Sequence, residues 1–339
     1  MRAAVFRGLG QPLALEERPD PVPGPTDLVL RVKACGVCGS DLHASEIPPG
    51  LPPGSVMGHE FSGEVLEAGS EVRGLWKAGE RVCALPYIGC GRCARCLAGD
   101  GILCPKIQPT GLGQVPGAFA EYVRVGAGES LRLPASLSFE EGATVEPLAV
   151  GLHAVRQSRL EPGADVLVIG AGPIGLATAL WARFFGARSV VVSETVPARL
   201  ELAARFGATH GIDAGKENVA GAFHKATGST PQVVFECVGV PGLLQQCIML
   251  APARARIVVV GVCMQPDTIV PAMAILKELS LDFVVGYRRP DFQLAVDMLD
   301  AERIASRPMI TDVVDLDGLP AAFEALKKPT TQCKVLVTP

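Results

Sequence analysis

The chain has 339 residues, of which 48% are hydrophobic and 19% charged, with a formal net charge of −4. That length suits two ordinary domains, and the composition calls for a sizeable core rather than a disordered or low-complexity chain. The mild acidity, with no Lys/Arg run beyond two residues, gives no electrostatic support to a nucleic-acid or anionic-membrane surface.

The opening stretch, "MRAAVFRGLGQPLALEERPD", has no sustained apolar core followed by a small-residue cleavage site, so a secretory signal is not expected. From residue 1 to about 147, short apolar or alternating runs are bounded by Gly and Pro. The runs "DLVLRVKACGV", "FSGEVLEAGS", "ERVCALPY" and "AFAEYVRVG" predict an antiparallel, barrel-like β domain. Cys38 in "CGVCGSDLH", His59 and Glu60 in "MGHEFSGEV", and Glu146 in "TVEPLAV" are donors of the right type for a metal with one open position. By spacing alone they are scattered, and a buried thiol, a loop histidine and two solvated acids read equally well.

The stretch "GCGRCARCLAGDGILC" carries Cys90, Cys93, Cys96 and Cys104 in C-x2-C-x2-C-x7-C spacing. Four thiolates on one short loop can close a tetrahedral zinc shell with no room for substrate. An iron–sulfur cluster or a redox Cys-x-x-Cys pair are the competing readings. Eleven cysteines in all, an odd number, favour metal ligation and buried thiols in a reducing cytosol over a disulfide framework.

Near residue 147 the texture changes. "PLAVGLHAVRQSRL" predicts a helix that stops before Pro162-Gly163, and strands then alternate with helices: "DVLVIG", Pro173 to Phe185, "SVVVSE", "PARLELAARFG", "VVFECVG", 241 to 250, and "RIVVVG". Apolar strands in such alternation predict a doubly wound parallel sheet covered on both faces. The most apolar run, "VLVIGAGPIGLATALWA", is marginal in length for a membrane span, and its glycines and proline fit a buried strand turning into a helix. Gly170, Gly172 and Gly175 fall in G-x-G-x-x-G spacing at that turn, where free N–H groups and the helix dipole can receive a pyrophosphate. Glu194 ends the next strand, where a carboxylate can accept both ribose hydroxyls and repel a 2′-phosphate, which favours NAD. Arg199 lies one turn into the following helix, placed for a phosphate or for solvent. Beyond about residue 285 the sequence becomes irregular, and "CKVLVT" is expected to rejoin the first domain. The expected domains are thus 1–147 with 285–339, and 148–284.

Together "GVCGSDLH", "GHEFSGEV", the four-cysteine loop, "GAFAEYV", "EPLAVGLHAV", "VIGAGPIGL" and "CKVLV" resemble the zinc-dependent medium-chain dehydrogenase/reductases. This superfamily includes alcohol, sorbitol, threonine and butanediol dehydrogenases, and the likeness covers nearly the whole chain. It implies an α/β chain with a GroES-like β-barrel catalytic domain and an inserted Rossmann domain. It also implies NAD as cofactor, one catalytic and one structural zinc, and a cytoplasmic homodimer or homotetramer acting on a small alcohol or ketone.

Carried over, Cys38 and His59 match the first two catalytic zinc ligands, and Glu146 sides with the sorbitol and butanediol branch. The resemblance offers Glu60 or Glu146 as the third direct ligand, with Glu146 acting directly or through water, a choice the sequence leaves open. Ser40 and His43 match a proton relay, and Asp41 a buttress to His59, although Ser and Asp also cap helices. Pro173 and Ile174 belong to the cofactor turn. Lys334 matches a basic position at the pyrophosphate, with a strand-edge lysine as its competitor. His153, His210 and His224 take no role. The proline-rich loop "ASEIPPGLPPGSV" is expected to shape the substrate pocket toward a larger or more apolar alcohol. The rival functions are an NADP-preferring carbonyl reductase on the same fold and a non-catalytic nucleotide-binding scaffold.

Overall fold

The computed structural model describes residues 1–328 and 331–339. The chain divides into two units, Met1–Glu146 with Tyr287–Pro339, and Pro147–Gly286.

In the first unit the main sheet runs in the order Ile310–Asp315, Lys334–Thr338, Asp27–Gly36, Glu60–Ala68, Arg81–Ala84, Ser130–Arg132, with Tyr122–Gly126 also paired to Asp27–Gly36. The last strand, Lys334–Thr338, lies within this sheet beside Asp27–Gly36. It pairs antiparallel through Leu336 opposite Gly36 and Val337 opposite Cys35. Asp27–Gly36 then pairs with Glu60–Ala68, placing Gly36 opposite Glu60. Alternation along these strands sends Leu28, Leu30 and Phe61 into one core with Phe119 from the segment before Tyr122, closed by Phe323 edge-to-face with Phe119 at 6.4 Å. Each such side chain contributes roughly 1.5–3 kcal/mol of burial.

The helix expected to begin at residue 147 runs instead over Phe139–Gln157, with Pro147 in its interior. Pro147 looks like a helix start, but a capping box sits upstream. Ser138 Oγ accepts from the Glu141 N–H at 3.2 Å, and Glu141 Oε2 accepts from the Ser138 N–H at 2.9 Å. Glu146 is consequently a helix residue rather than part of a loop before one. The irregular region after 285 also contains a helix, Arg289–Asp300, capped by Asp291 on the Arg288 N–H at 3.0 Å.

The second unit is a six-stranded sheet, parallel throughout, in the order His210–Asp213, Ser189–Glu194, Asp165–Ile169, Val233–Glu236, Arg256–Val259, Ser280–Phe283. Numbered along the chain this is 3-2-1-4-5-6, the doubly wound dinucleotide topology. The edge strands His210–Asp213 and Ser280–Phe283 are short and half polar, so no apolar run marks them in the sequence. Trp181 is fully buried on the helix Pro173–Phe184, and its Nε1–H donates to the Leu148 carbonyl at 2.9 Å. No described helix is long and apolar enough to cross a membrane.

Candidate metal sites and dinucleotide turn

Cys38 ends the loop after strand Asp27–Gly36 and stands at the N-cap of helix Gly39–Glu46. Asp41, fully buried in the first turn, accepts from the Cys38 N–H at 2.9 Å and from the Gly58 N–H at 3.4 Å. Its Oδ1 also lies 3.3 Å from His59 Nδ1, outside hydrogen-bond alignment. Asp41 therefore caps the helix through the Cys38 N–H and stands close to His59 at the same time. Ser40 Oγ is 3.2 Å from His59 Nε2, and His43 follows one turn later on the same helix, half-buried.

Behind His59 the chain has no room for side chains. A Cβ on Gly117 would fall 2.4 Å from the Met57 carbonyl and 2.6 Å from Gly111 Cα, and one on Gly111 would fall 2.5 Å from the Gly58 carbonyl.

Cys38, His59 and Glu60 bring one sulfur, one imidazole nitrogen and one carboxylate oxygen within 4.8 Å of one another. His59 and Glu60 are buried, and His59 Nδ1 has no aligned partner. Burial pushes the His59 imidazole down, but Asp41 and Cys38 outweigh it and hold the ring well above its ordinary pKa. A mixed S, N, O donor set of this kind fits zinc. Glu146 is buried but stands outside this set of donor atoms. Burial, reinforced by Glu60, pushes its carboxyl up to about 7.

Lys334 is placed differently from the sequence expectation. Its side chain is 1% exposed, and Nζ donates to Glu60 Oε1 at 2.7 Å, Glu60 Oε2 at 2.6 Å and the Val37 carbonyl at 2.9 Å. All three ammonium donors are engaged inside the first unit, leaving none for a pyrophosphate. A lone buried ammonium would be costly, and Glu60 neutralises it. Gly36 is the third party, since a Cβ there would sit 2.1 Å from Glu60 Oε2. Sequence reasoning missed both this pairing and Tyr287. Tyr287 is a buried phenol stacked on Phe292 at 5.4 Å, and its own ionisation is pushed up by burial and by Glu146. A lysine opening an otherwise apolar strand was the available signal for the first; nothing local marked the second.

The four-cysteine loop draws its ligands together without help from distant strands. Cys93 Sγ lies 3.5 Å from Cys96 Sγ and 3.8 Å from Cys104 Sγ, and Cys90 Sγ lies 4.0 Å from Cys96 Sγ. Gly91 and Gly99 take positive φ of 68° and 72°, which lets the backbone reverse around the sulfurs. Backbone N–H groups of Arg92 and Cys93 pull the Cys90 thiol down, while burial and the neighbouring sulfurs push that of Cys96 up. The all-sulfur set fits a closed zinc shell. Arg289 N–H donates to the Gly99 carbonyl at 2.8 Å and Arg288 to the Ala98 carbonyl at 2.9 Å, pinning the loop to the helix that follows Tyr287.

In the second unit, Gly170 adopts φ +96°, and a Cβ on Gly175 would fall 1.9 Å from the Gly170 carbonyl. Gly172 N-caps the helix with nothing within 4 Å of a would-be Cβ, and Pro173 and Ile174 open its first turn. The three glycines therefore serve turn, open approach and close packing respectively. Glu194 Oε2 accepts from the Ala171 N–H at 2.8 Å, and Oε1 from the Thr195 and Val196 N–H groups at 2.7 and 3.0 Å. That ties the strand-end acid to the glycine turn itself. Arg199 is half-buried on helix Pro197–Ala203.

A barrel bearing an S, N, O donor cluster and an all-cysteine loop, with a 3-2-1-4-5-6 sheet bearing this turn, defines the metal-dependent class of nicotinamide dehydrogenases. Comparison with known proteins agrees. The family described as "Alcohol dehydrogenase GroES-like domain" matches residues 24–135, and "Zinc-binding dehydrogenase" matches residues 173–301. Sorbitol dehydrogenase of Bacillus subtilis is 30% identical, covering 100% of this chain and 97% of that protein. Among solved structures, 2R,3R-butanediol dehydrogenase from Bacillus subtilis aligns with TM-score 0.88 and 32% identity, covering 100% and 99% of the two chains. A zinc-binding dehydrogenase from Sinorhizobium meliloti bound to NADP aligns with TM-score 0.89 and 34% identity, covering 100% and 99%. The chain belongs to the zinc-dependent medium-chain dehydrogenase/reductase family, as an oxidoreductase acting on CH–OH groups with zinc and a nicotinamide cofactor.

Proposed function

We propose that the protein is an NAD-dependent dehydrogenase of a secondary alcohol or diol, reversible to the ketone, with one catalytic and one structural zinc per chain. The observation that carries this reading is the Cys38, His59 and Glu60 donor cluster with Ser40 Oγ beside it. When bound, zinc supplies Lewis acidity to the substrate oxygen and the nicotinamide accepts the hydride. Cys38 and His59 would hold the metal, with Asp41 fixing the imidazole's orientation from Nδ1. Ser40 would receive the substrate hydroxyl proton and His43 would release it toward solvent. Gly170, Gly172 and Gly175, with Pro173 and Ile174, would seat the pyrophosphate, and Glu194 the adenosine ribose. Cys90, Cys93, Cys96 and Cys104 would hold the second zinc.

Relatives named for sorbitol and 2R,3R-butanediol support a vicinal diol or polyol as the substrate class. A homo-oligomer is supported by exposed apolar residues on and beside the edge strand Ser280–Phe283, namely Ile275, Leu276, Phe283 and Val285. Thiolate metal ligands suit a reducing, cytoplasmic setting. The test is steady-state kinetics over secondary alcohols, diols and ketones with both nicotinamide cofactors. NAD should exceed NADP in kcat/KM by about tenfold or more, and Glu194→Gln should narrow that ratio. Preference for NADP in the wild type would overturn the cofactor assignment, and no turnover with two zinc ions bound would overturn the enzyme reading.

A further inference from the structure

Glu236 is a buried carboxylate that the proposed chemistry does not use. It ends strand Val233–Glu236, the fourth of the parallel sheet, opposite Ile169 on one side and Val259 on the other. Its Oε1 accepts from two successive backbone N–H groups, Val238 at 2.7 Å and Gly239 at 2.8 Å. Its own carbonyl accepts from the Val260 and Gly261 N–H groups, both at 2.9 Å. One residue thereby fastens the loop after its own strand and the loop after strand Arg256–Val259. Those loops touch main chain to main chain. A Cβ on Gly239 would fall 2.6 Å from Val262 N, and one on Gly261 would fall 2.3 Å from Gly239 N.

The same loop leans on the glycine turn. Cys237 N–H donates to the Ile169 carbonyl at 3.0 Å, and a Cβ on Gly170 would meet Val238 Cγ2 at 2.7 Å. In a 3-2-1-4-5-6 sheet a dinucleotide lies across the C-terminal ends of the strands, where the order reverses between strands 1 and 4. The turn after strand 1 takes the pyrophosphate, and the acid after strand 2 takes the adenosine ribose. The nicotinamide half is then left to the loops after strands 4 and 5, the two that Glu236 ties together.

We propose that Glu236 is a positioning residue that presets these two loops for the nicotinamide half of the cofactor. It acts through its bonds to the Val238 and Gly239 N–H groups, not through its charge. Without an acceptor those two donors must find other partners, and the loop carrying Val238 leaves the glycine turn. The inference rests on the reading of this turn as the dinucleotide site.

The test uses the full-length, zinc-loaded protein and compares wild type with two variants. Glu236→Gln keeps an amide oxygen that can accept both N–H bonds; Glu236→Leu has no acceptor. Calorimetric titration with NADH and, separately, with ADP-ribose, which lacks the nicotinamide, gives the two affinities. Glu236→Leu should bind NADH about tenfold more weakly but ADP-ribose within about threefold of wild type, because only the nicotinamide half loses its preset surface. Glu236→Gln should stay within about threefold of wild type for both. A role in stability alone would lower the melting temperature and leave the ratio of the two affinities unchanged, and that unchanged ratio overturns the proposal. So does a Glu236→Gln variant as weak toward NADH as Glu236→Leu, which would assign the effect to charge. Should Glu236→Leu fail to fold, Glu236→Asp decides in its place. It keeps the charge on an arm one methylene shorter and should show the same selective loss; wild-type affinity for both ligands would overturn the proposal. A wild type that binds neither NADH nor ADP-ribose overturns this proposal together with the proposed function. A wild type that binds both, with the ratio unaltered in the variants, overturns this proposal alone.

Discussion

The two metal-binding regions of the first unit are built in opposite ways. The four-cysteine loop gathers all its donors between Cys90 and Cys104, and local turns bring the sulfurs to 3.5–4.0 Å. The Cys38 pocket takes one donor from a helix cap, two from the start of a strand, a nearby acid from a long helix and a counter-charge from the C-terminal strand. Four sulfurs would fill a tetrahedral shell and only hold a metal, whereas the mixed Cys38 set would leave a position open, which is what the proposed chemistry requires. A local motif can gather its donors alone, whereas the proposed reactive centre depends on global register.

That contrast can be broken most sharply at Cys38. Cys38→Ala should remove the catalytic ion and lower kcat/KM by at least about 100-fold while the second zinc and the thermal midpoint stay near wild type. Metal analysis with kinetics and a melting curve checks this. Loss of both ions would mean the two regions are not independent.

Cys93→Ser is the mirror experiment. It should cost several kcal/mol, seen as a thermal midpoint lower by roughly 10 °C, with kcat falling less than in Cys38→Ala. Calorimetry and turnover at a temperature well below the transition would separate the two effects. A fall in kcat as large as that of Cys38→Ala would give the loop a part in catalysis.

The smallest effect sharpens the comparison from inside the pocket. Gly36→Ala should cost about 1–3 kcal/mol, because the new Cβ meets Glu60 Oε2 at 2.1 Å and the carboxylate must shift. Denaturant unfolding would measure it. An unchanged midpoint would mean that Glu60 moves aside freely.

The same contrast explains what could be read from sequence. The cysteine loop and the G-x-G-x-x-G turn are contiguous, so spacing and flanking pattern carry their meaning. Cys38, His59 and Glu60 had the right chemistry, but only the pairing of Gly36 with Glu60 brings them to one place. Glu146 was read as preceding a helix, because Pro147 imitates a helix start more loudly than the Ser138–Glu141 box that sets it. The partner of Lys334 lies 274 residues away in the chain, across two strand pairings, and no local pattern encodes such a contact.

The backbone crossing of Gly58, Gly111 and Gly117 bears on how this protein can be re-engineered. Where side chains touch, a neighbour can shrink to admit a larger residue, so substitutions can be traded against each other. At Gly111 and Gly117 the obstructing atoms are the Met57 and Gly58 carbonyls and Gly111 Cα, which no compensating substitution can make smaller, whereas a Cβ on Gly58, at φ +95°, also meets the Phe119 ring and the Cys35 sulfur. Gly111 and Gly117 therefore form a fixed crossing beside the Met57–Gly58 backbone that leads into His59, and a directed-evolution library should leave them alone.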